Sequence, residues 1–238
     1  QGVYWGSEFE DYQGSIVKRY LAKVDGESGK ILWRKEFLPT RYLSPYRTDK
    51  MVLDSDNNIY ITAMYEDFSL SIEGQTLTSN KSPINVLLKY NPSGKLIWMK
   101  NIETPWLDVP GFTKVLEYDK ENNKIIAIQG NGKKGYVQHI NLDGNVLHTN
   151  SISTTGSVHF ASGGFDSKGV FYGYGDATGT MTLENFENRS SPSGAANGFS
   201  FSISEIEGKI TSVANTNNKN LKVLSAVIEN DNRYVLCR

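Results

Sequence analysis

Apolar and polar residues alternate over short runs along this chain. The clearest runs are "NIYITAMY" (58–65), "KIIAIQG" (124–130), "GVFYGYG" (169–175) and "RYVLCR" (233–238). A period of two, rich in β-branched and aromatic residues, predicts half-buried β-strands. Each run follows a cluster of turn formers: "DSDNN" at Asp54, "DKENN" at Asp119, "DSKG" at Asp166 and "ENDN" at Glu229. Asp and Asn side chains hydrogen-bond neighbouring backbone amides, and Asn or Gly tolerates positive φ. Each cluster therefore predicts a tight hairpin.

A second hairpin type carries Gly in its turn. It occurs at Gly29, Gly94, Gly144 and Gly208, within "GESGKILW", "NPSGKLIW", "NLDGNVLH" and "EIEGKITS". The two types alternate with a period of roughly 50–65 residues, which points to a repeat array. One repeat reads as four antiparallel strands, A to D. The clearest copy predicts strands at 50–53, 59–65, 85–90 and 96–101. The next predicts 113–118, 124–129, 135–140 and 145–151, and the one after that 158–163, 170–175, 198–204 and 209–214.

Tandem four-stranded meanders predict the blades of a β-propeller. A lone blade cannot bury both faces, so it stacks on its neighbours. The expected fold is all-β, a single propeller domain or fragment over 1–238, with blade portions 1–37, 49–102, 112–152, 157–215 and 221–238. Residues 2–9 read as a strand B with no A before it, and the last residues as A and B with no C or D after. Those ends supply one strand too many for a shared closing blade. The expectation is about four blades' worth of a larger ring; the alternative is a small closed ring with a frayed end.

Four residues past the turn glycine stand Trp33, Trp98, His148 and Ser212; five before it stand Lys89, His139 and Ile203. Trp33 and Trp98 share a slot on the outer strand D, where a large ring covers a blade edge and packs on its neighbour. Packing is the expected role of both. His139 and His148 read as substitutions within the same slots.

The stretches "NIYITAMYEDFSLSIEGQTLTSN" and "INVLLKYNPSGKLIWMKNI", within Asn58–Ile102, resemble the SBBP β-propeller repeat of secreted and cell-surface proteins of Bacteroidota-type bacteria. "VDGESGKILWRKEF" (24–37) resembles the tryptophan-docking motif of quinoprotein-type, PQQ-like repeats, which non-catalytic scaffold propellers of the bacterial envelope share. The later copies keep the turn glycine and lose Trp. The resemblance implies a secreted or cell-surface (outer-membrane) protein, with the periplasm as the alternative. It implies a non-catalytic scaffold, a subunit of something larger, whose partner is a protein or a glycan. No cofactor is expected. The rivals are a quinoprotein-like oxidoreductase or propeller hydrolase, and a structural spacer in a long surface protein.

Composition narrows this further. The chain has 238 residues, a net charge of −1 and interspersed charges, so it has no electrostatic footprint for nucleic acid or an anionic membrane. Its apolar runs are too short for a membrane-spanning helix, and no signal pattern opens it, so a mature form or an excised piece is expected. Cys237 is the one cysteine, which excludes an internal disulfide.

Motif chemistry is sparse. HExxH, a Walker loop, GxSxG and CxxC are all absent. His139, His148 and His159 occupy different repeat slots, and no shared metal is expected. "DSDNN" has the look of a calcium loop but lacks its final bidentate acid, so a tight turn is expected. Asp11, Glu66, Asp67, Asp108 and Asp176 show no spacing that pairs two across a cleft.

Strand reversal places the A–B and C–D turns on one face and the B–C and D–A connections on the other. The long segments are 66–83 and 176–197 (B–C) and 38–48 and 103–112 (D–A), all on that second face. Loops on a rigid scaffold build binding surfaces. Tyr42, Tyr46, Trp106 and Phe112, with Arg47 beside them, are the candidate partner-binding residues. The plainer reading of the aromatics is that they plug gaps between blades.

Overall fold

The computed structural model describes residues 2–9, 16–41, 50–65, 68–80, 84–102, 112–130, 132–183, 189–190, 197–203, 209–215, 222–229 and 231–237. They form an all-β protein whose strand pairings are antiparallel throughout. Among the described residues no helix is long and apolar enough to cross a membrane. The chain divides into two compact units, Gln1–Glu103 and Thr104–Arg238.

In the first unit β1 (Gly2–Phe9), β2 (Ile16–Val24) and β3 (Ile31–Arg41) form a three-stranded sheet. β4 (Lys50–Leu53), β5 (Ile59–Tyr65), β8 (Ile84–Tyr90) and β9 (Leu96–Asn101) form a four-stranded sheet in that order. β6 (Ser69–Ile72) and β7 (Gln75–Thr78) make a separate hairpin between β5 and β8. One apolar core joins all three: Leu21 from β2, Ile59, Ile61, Val86 and Leu88 from the four-stranded sheet, and Leu70 from the hairpin, with Trp33 packed against it.

In the second unit β10 (Phe112–Asp119), β11 (Lys124–Gly130), β12 (Lys134–Asn141) and β13 (Val146–Thr154) run in sequence order. The hairpin β16 (Thr180–Leu183) and β17 (Arg189–Ser190) extends them beyond β13. β14 (Val158–Phe165), β15 (Phe171–Ala177), β18 (Asn197–Ile203) and β19 (Ile210–Asn215) form a second four-stranded sheet. β20 (Val223–Glu229) and β21 (Asn232–Cys237) form a two-stranded one. Val115, Ile126, Ile128 and Val137 pack with Phe160, Phe171, Phe199 and Phe201 between the larger sheets. Tyr174, Val223 and Ala226 pack between β15 and β20.

The repeat is visible in the registers. β10, β14 and β20 each carry a bulge, between Thr113 and Val115, Phe160 and Ser162, and Val223 and Ser225. The outer hairpins share another, directly after the pairs Lys23↔Trp33, Lys89↔Trp98, His139↔His148 and Ser202↔Ser212. Bulges are built features that bend and twist a strand, so their recurrence means that one supersecondary unit is repeated. Ser202, not Ile203, holds the slot of Lys89 and His139. The link between β18 and β19 is one residue longer, so counting back from Gly208 lands one position off.

The turns form for the expected reason. Asn57, Asn123, Gly169 and Asp231 have φ of 61°, 51°, 77° and 64°. Asp54 Oδ1 accepts the amides of Asp56 and Asn58, Asp166 Oδ1 those of Lys168 and Val170, and Asn91 Oδ1 those of Ser93 and Lys95. Asp54 Oδ2 takes Asn58 Nδ2 and the Tyr60 hydroxyl at 3.1 Å, so "DSDNN" is a closed turn.

The two long B–C segments are not open loops. Residues 66–83 contain β6 and β7, and 176–197 contain β16 and β17. Both hairpins fold back along outer strands. Glu73, at the tip of the first, bonds Lys35 on β3 and accepts the Leu96 amide of β9, while Gln75 Nε2 donates to the Ile97 carbonyl. β16 pairs with β13 from Ile152↔Leu183 to Thr154↔Met181. Edge strands left bare invite aggregation, and these insertions cover two of them. The 38–48 connection is also shorter than expected, because β3 continues to Arg41.

Candidate functional site

Of the residues nominated from the sequence, Tyr42, Tyr46, Arg47 and Trp106 lie outside the described residues. Phe112 opens β10, half-buried, with Lys114 Nζ 5.2 Å from its ring centroid. A cation over an aromatic face is a modest attraction at a partly exposed position. It leaves Phe112 at the D–A end of its sheet, where the connection from 103 to 111 delivers it.

The slot with the shared bulge is the most developed side-chain constellation. In the first unit Tyr60, Lys89 and Trp98 are cross-strand neighbours. Lys89 Nζ lies 5.0 Å from the Tyr60 centroid, and the Tyr60 and Trp98 rings meet edge to face at 6.0 Å. The ammonium of Lys89 thus rests on an aromatic face, which suits a cation. In the second unit the same row reads Ile126, His139, His148. The histidine rings meet edge to face at 6.2 Å. His139 is 2% exposed and neither ring nitrogen has a hydrogen-bond partner. Burial, then the nearby Lys124 and His148, pushes its pKa down to about 4. The imidazole is therefore neutral at pH 7.

A second polar group sits where the β13–β14 link meets the start of the β15–β18 connection. His159 Nδ1 lies 3.2 Å from Asp176 Oδ2. Two register positions away, beyond the pair Val158↔Ala177, Ser157 and Thr178 exchange hydrogen bonds: Thr178 Oγ1 accepts the Ser157 amide at 2.8 Å and the two hydroxyls meet at 3.1 Å. Thr154 Oγ1 donates to the Thr178 carbonyl, and Thr155 Oγ1 accepts the Thr180 amide. Gly156 and Gly179 permit this closeness, since a β-carbon on either would collide with the opposite loop. The clasp fixes β16 beside β13 and leaves His159 exposed at the rim. Sequence reading placed Asp176 among unpaired carboxylates; the partner that β14 supplies directly across the strands was the missing signal.

Among the described residues no group of three or more His, Cys, Asp or Glu side chains could hold a metal ion. What this architecture defines is a protein of tandem antiparallel meanders. No protein-family model matches the chain, and no curated protein matches it.

Proposed function

We propose that this chain is a non-catalytic β-propeller scaffold that recognises a protein or glycan partner at a bacterial cell surface or within an envelope complex. The observation that carries the reading is the recurrent slot, Lys23–Trp33, Lys89–Trp98, His139–His148 and Ser202–Ser212, each followed by a bulge. Three four-stranded meanders and one three-stranded meander among the described residues, joined by short turns, suit blades stacked around an axis. The polar side chains of those turns support a scaffold role, because the oxygens of Asp54, Asn91, Asn141 and Asp166 accept the backbone amides of Asn58, Lys95, Asn145 and Val170 within the same turns. Since the B–C hairpins pack along strand edges, the partner surface is assigned to the D–A connections, with Trp106, Tyr42, Tyr46, Arg47 and Phe112 as its contacts.

The same edge-packing of β6–β7 and β16–β17 favours a second reading, a structural spacer whose insertions serve stacking alone. Alanine at Trp106 and at Tyr46 separates the two. Loss of capture from the source's cell envelope, with unchanged thermal stability, supports the binding module. Lower stability with unchanged capture supports the spacer.

A further inference from the structure

The slot that carries Lys23–Trp33, Lys89–Trp98 and Ser202–Ser212 holds two histidines in the copy formed by β12 and β13. His139 and His148 are directly opposed across these strands, with their ring centroids 6.2 Å apart. His139 is 2% exposed and neither of its ring nitrogens has a hydrogen-bond partner. A buried imidazole without partners is a costly group to keep, and it calls for a physical reason. Its cross-strand neighbour Ile126 and its face-mate Val137 belong to the apolar core, so the core side offers its nitrogens nothing. His148 is exposed and opens the pair to solvent.

We propose that His139 and His148 form a two-coordinate site for a closed-shell monovalent metal ion, Cu(I) or its redox-inert analogue Ag(I), held between the two imidazoles. Imidazole is a good donor to copper. The spacing suits two donors in line. A metal–nitrogen bond of about 2.0 Å plus a ring radius of about 1.1 Å puts each centroid about 3.1 Å from a shared ion, so two rings in line stand about 6.2 Å apart and two rings at a tetrahedral angle about 5 Å. The observed separation is 6.2 Å. The ring planes lie at 84°, which linear ligation allows, since each ring can twist about the common axis. Turning the exposed His148 ring about its Cβ–Cγ bond brings a nitrogen onto that axis and leaves the centroid in place; this torsion is broad for histidine.

Ligand number and charge select the ion. Among the described residues no third His, Cys, Asp or Glu joins the pair to make a larger metal-binding group. Zinc takes four ligands, whereas Cu(I) and Ag(I) are satisfied by two. Lys124 lies close enough for its charge to act on His139, and it repels a divalent ion twice as strongly as a monovalent one. His159, paired with Asp176, stands outside this site.

The test uses the whole chain with Cys237→Ser, which removes a competing soft thiol. Silver nitrate is titrated in chloride-free buffer while the histidine ring nitrogens are followed by long-range nitrogen–proton NMR. One equivalent should shift a ring nitrogen of His139 and one of His148 together, leave His159 unmoved and raise the melting temperature. His148→Ala, at an exposed position, should keep the circular dichroism and lose both the His139 shift and the thermal rise; His159→Ala should keep both. Cu(I), supplied with ascorbate in the absence of oxygen, should show two nitrogen neighbours and no sulfur by X-ray absorption. Zn(II) at the same concentration should leave the His139 nitrogens unmoved. None of these readings depends on partner capture through the D–A connections. His139 nitrogens that ignore Ag(I), a His139 shift that survives His148→Ala, sulfur or a third nitrogen around Cu(I), or an equal response to Zn(II) would each overturn the proposal.

Discussion

The six-membered ring of Trp33 lies over Gly94. A β-carbon built on that glycine would sit 3.1 Å from ring carbons Cη2, Cζ2 and Cζ3. Trp33 belongs to β3 and Gly94 to the β8–β9 turn, so the contact staples two sheets of the first unit. The motif "GKILW" is thus a packing device, and the turn glycine of the next repeat is its socket. Gly94 also has φ of 79°, a backbone state that L side chains adopt at a cost.

The two effects can be separated. Gly29 has φ of 68° and nothing within 4 Å of a built β-carbon. Gly29→Ala should lose about 1 kcal/mol, the backbone cost alone. Gly94→Ala must also displace the indole and should lose about 2 to 3 kcal/mol. Urea denaturation measures both, and equal losses would remove the staple from the account.

Gly135 presents the same logic between the larger sheets of the second unit. A β-carbon there would drive into the ring of Phe160. Gly135→Ala should cost about 2 kcal/mol or more through overpacking. Phe160→Leu should cost less in the Gly135→Ala background than in the parent, with a coupling of about 1 kcal/mol in a double-mutant cycle.

His139 makes stability pH-dependent. Its folded pKa is about 4, against an ordinary value of 6.5. Above pH 6.5 the ring is neutral in both states and contributes no pH dependence. Between pH 6.5 and 4 the unfolded chain takes up a proton that the folded chain refuses, so stability falls as pH falls. Below pH 4 both states are protonated and the loss levels off, at no more than about 3 kcal/mol. His139→Leu should flatten denaturation midpoints measured from pH 7.5 to 4.5. An unchanged slope would assign the acid sensitivity to other groups.

Asp54 is 6% exposed and accepts two backbone amides, the Asn58 amide group and the Tyr60 hydroxyl. Asp54→Ala strands these donors and should cost about 2 kcal/mol. Calcium should not raise the melting temperature of the parent chain, because the carboxylate is already saturated by the turn. A calcium-dependent rise would revive the metal-loop reading.

Much of the strand framework could be read in advance. β4, β5 and β9 fall on the bounds that alternation predicted, because period-two patterning and Asx turns act within a few residues of one another. The β6–β7 hairpin was legible too, since "SLSIEGQTLT" alternates and Glu73–Gly74 has the positive φ pair of a tight hairpin, 48° and 80°. Its length had been assigned to a loop. Of the candidate site, the sequence named aromatics on connections; it did not reveal the His159–Asp176 pair, whose members stand 17 residues apart and meet through strand register.

Local chemistry along the chain was enough to specify where strands start, where they reverse and which glycines must turn, since each depends on neighbours a few bonds away. Which insertion covers which edge, which glycine receives which ring, and that His139 lies buried without a partner required folding. These outcomes depend on side chains tens of residues apart competing for the same volume, and only close packing resolves that competition.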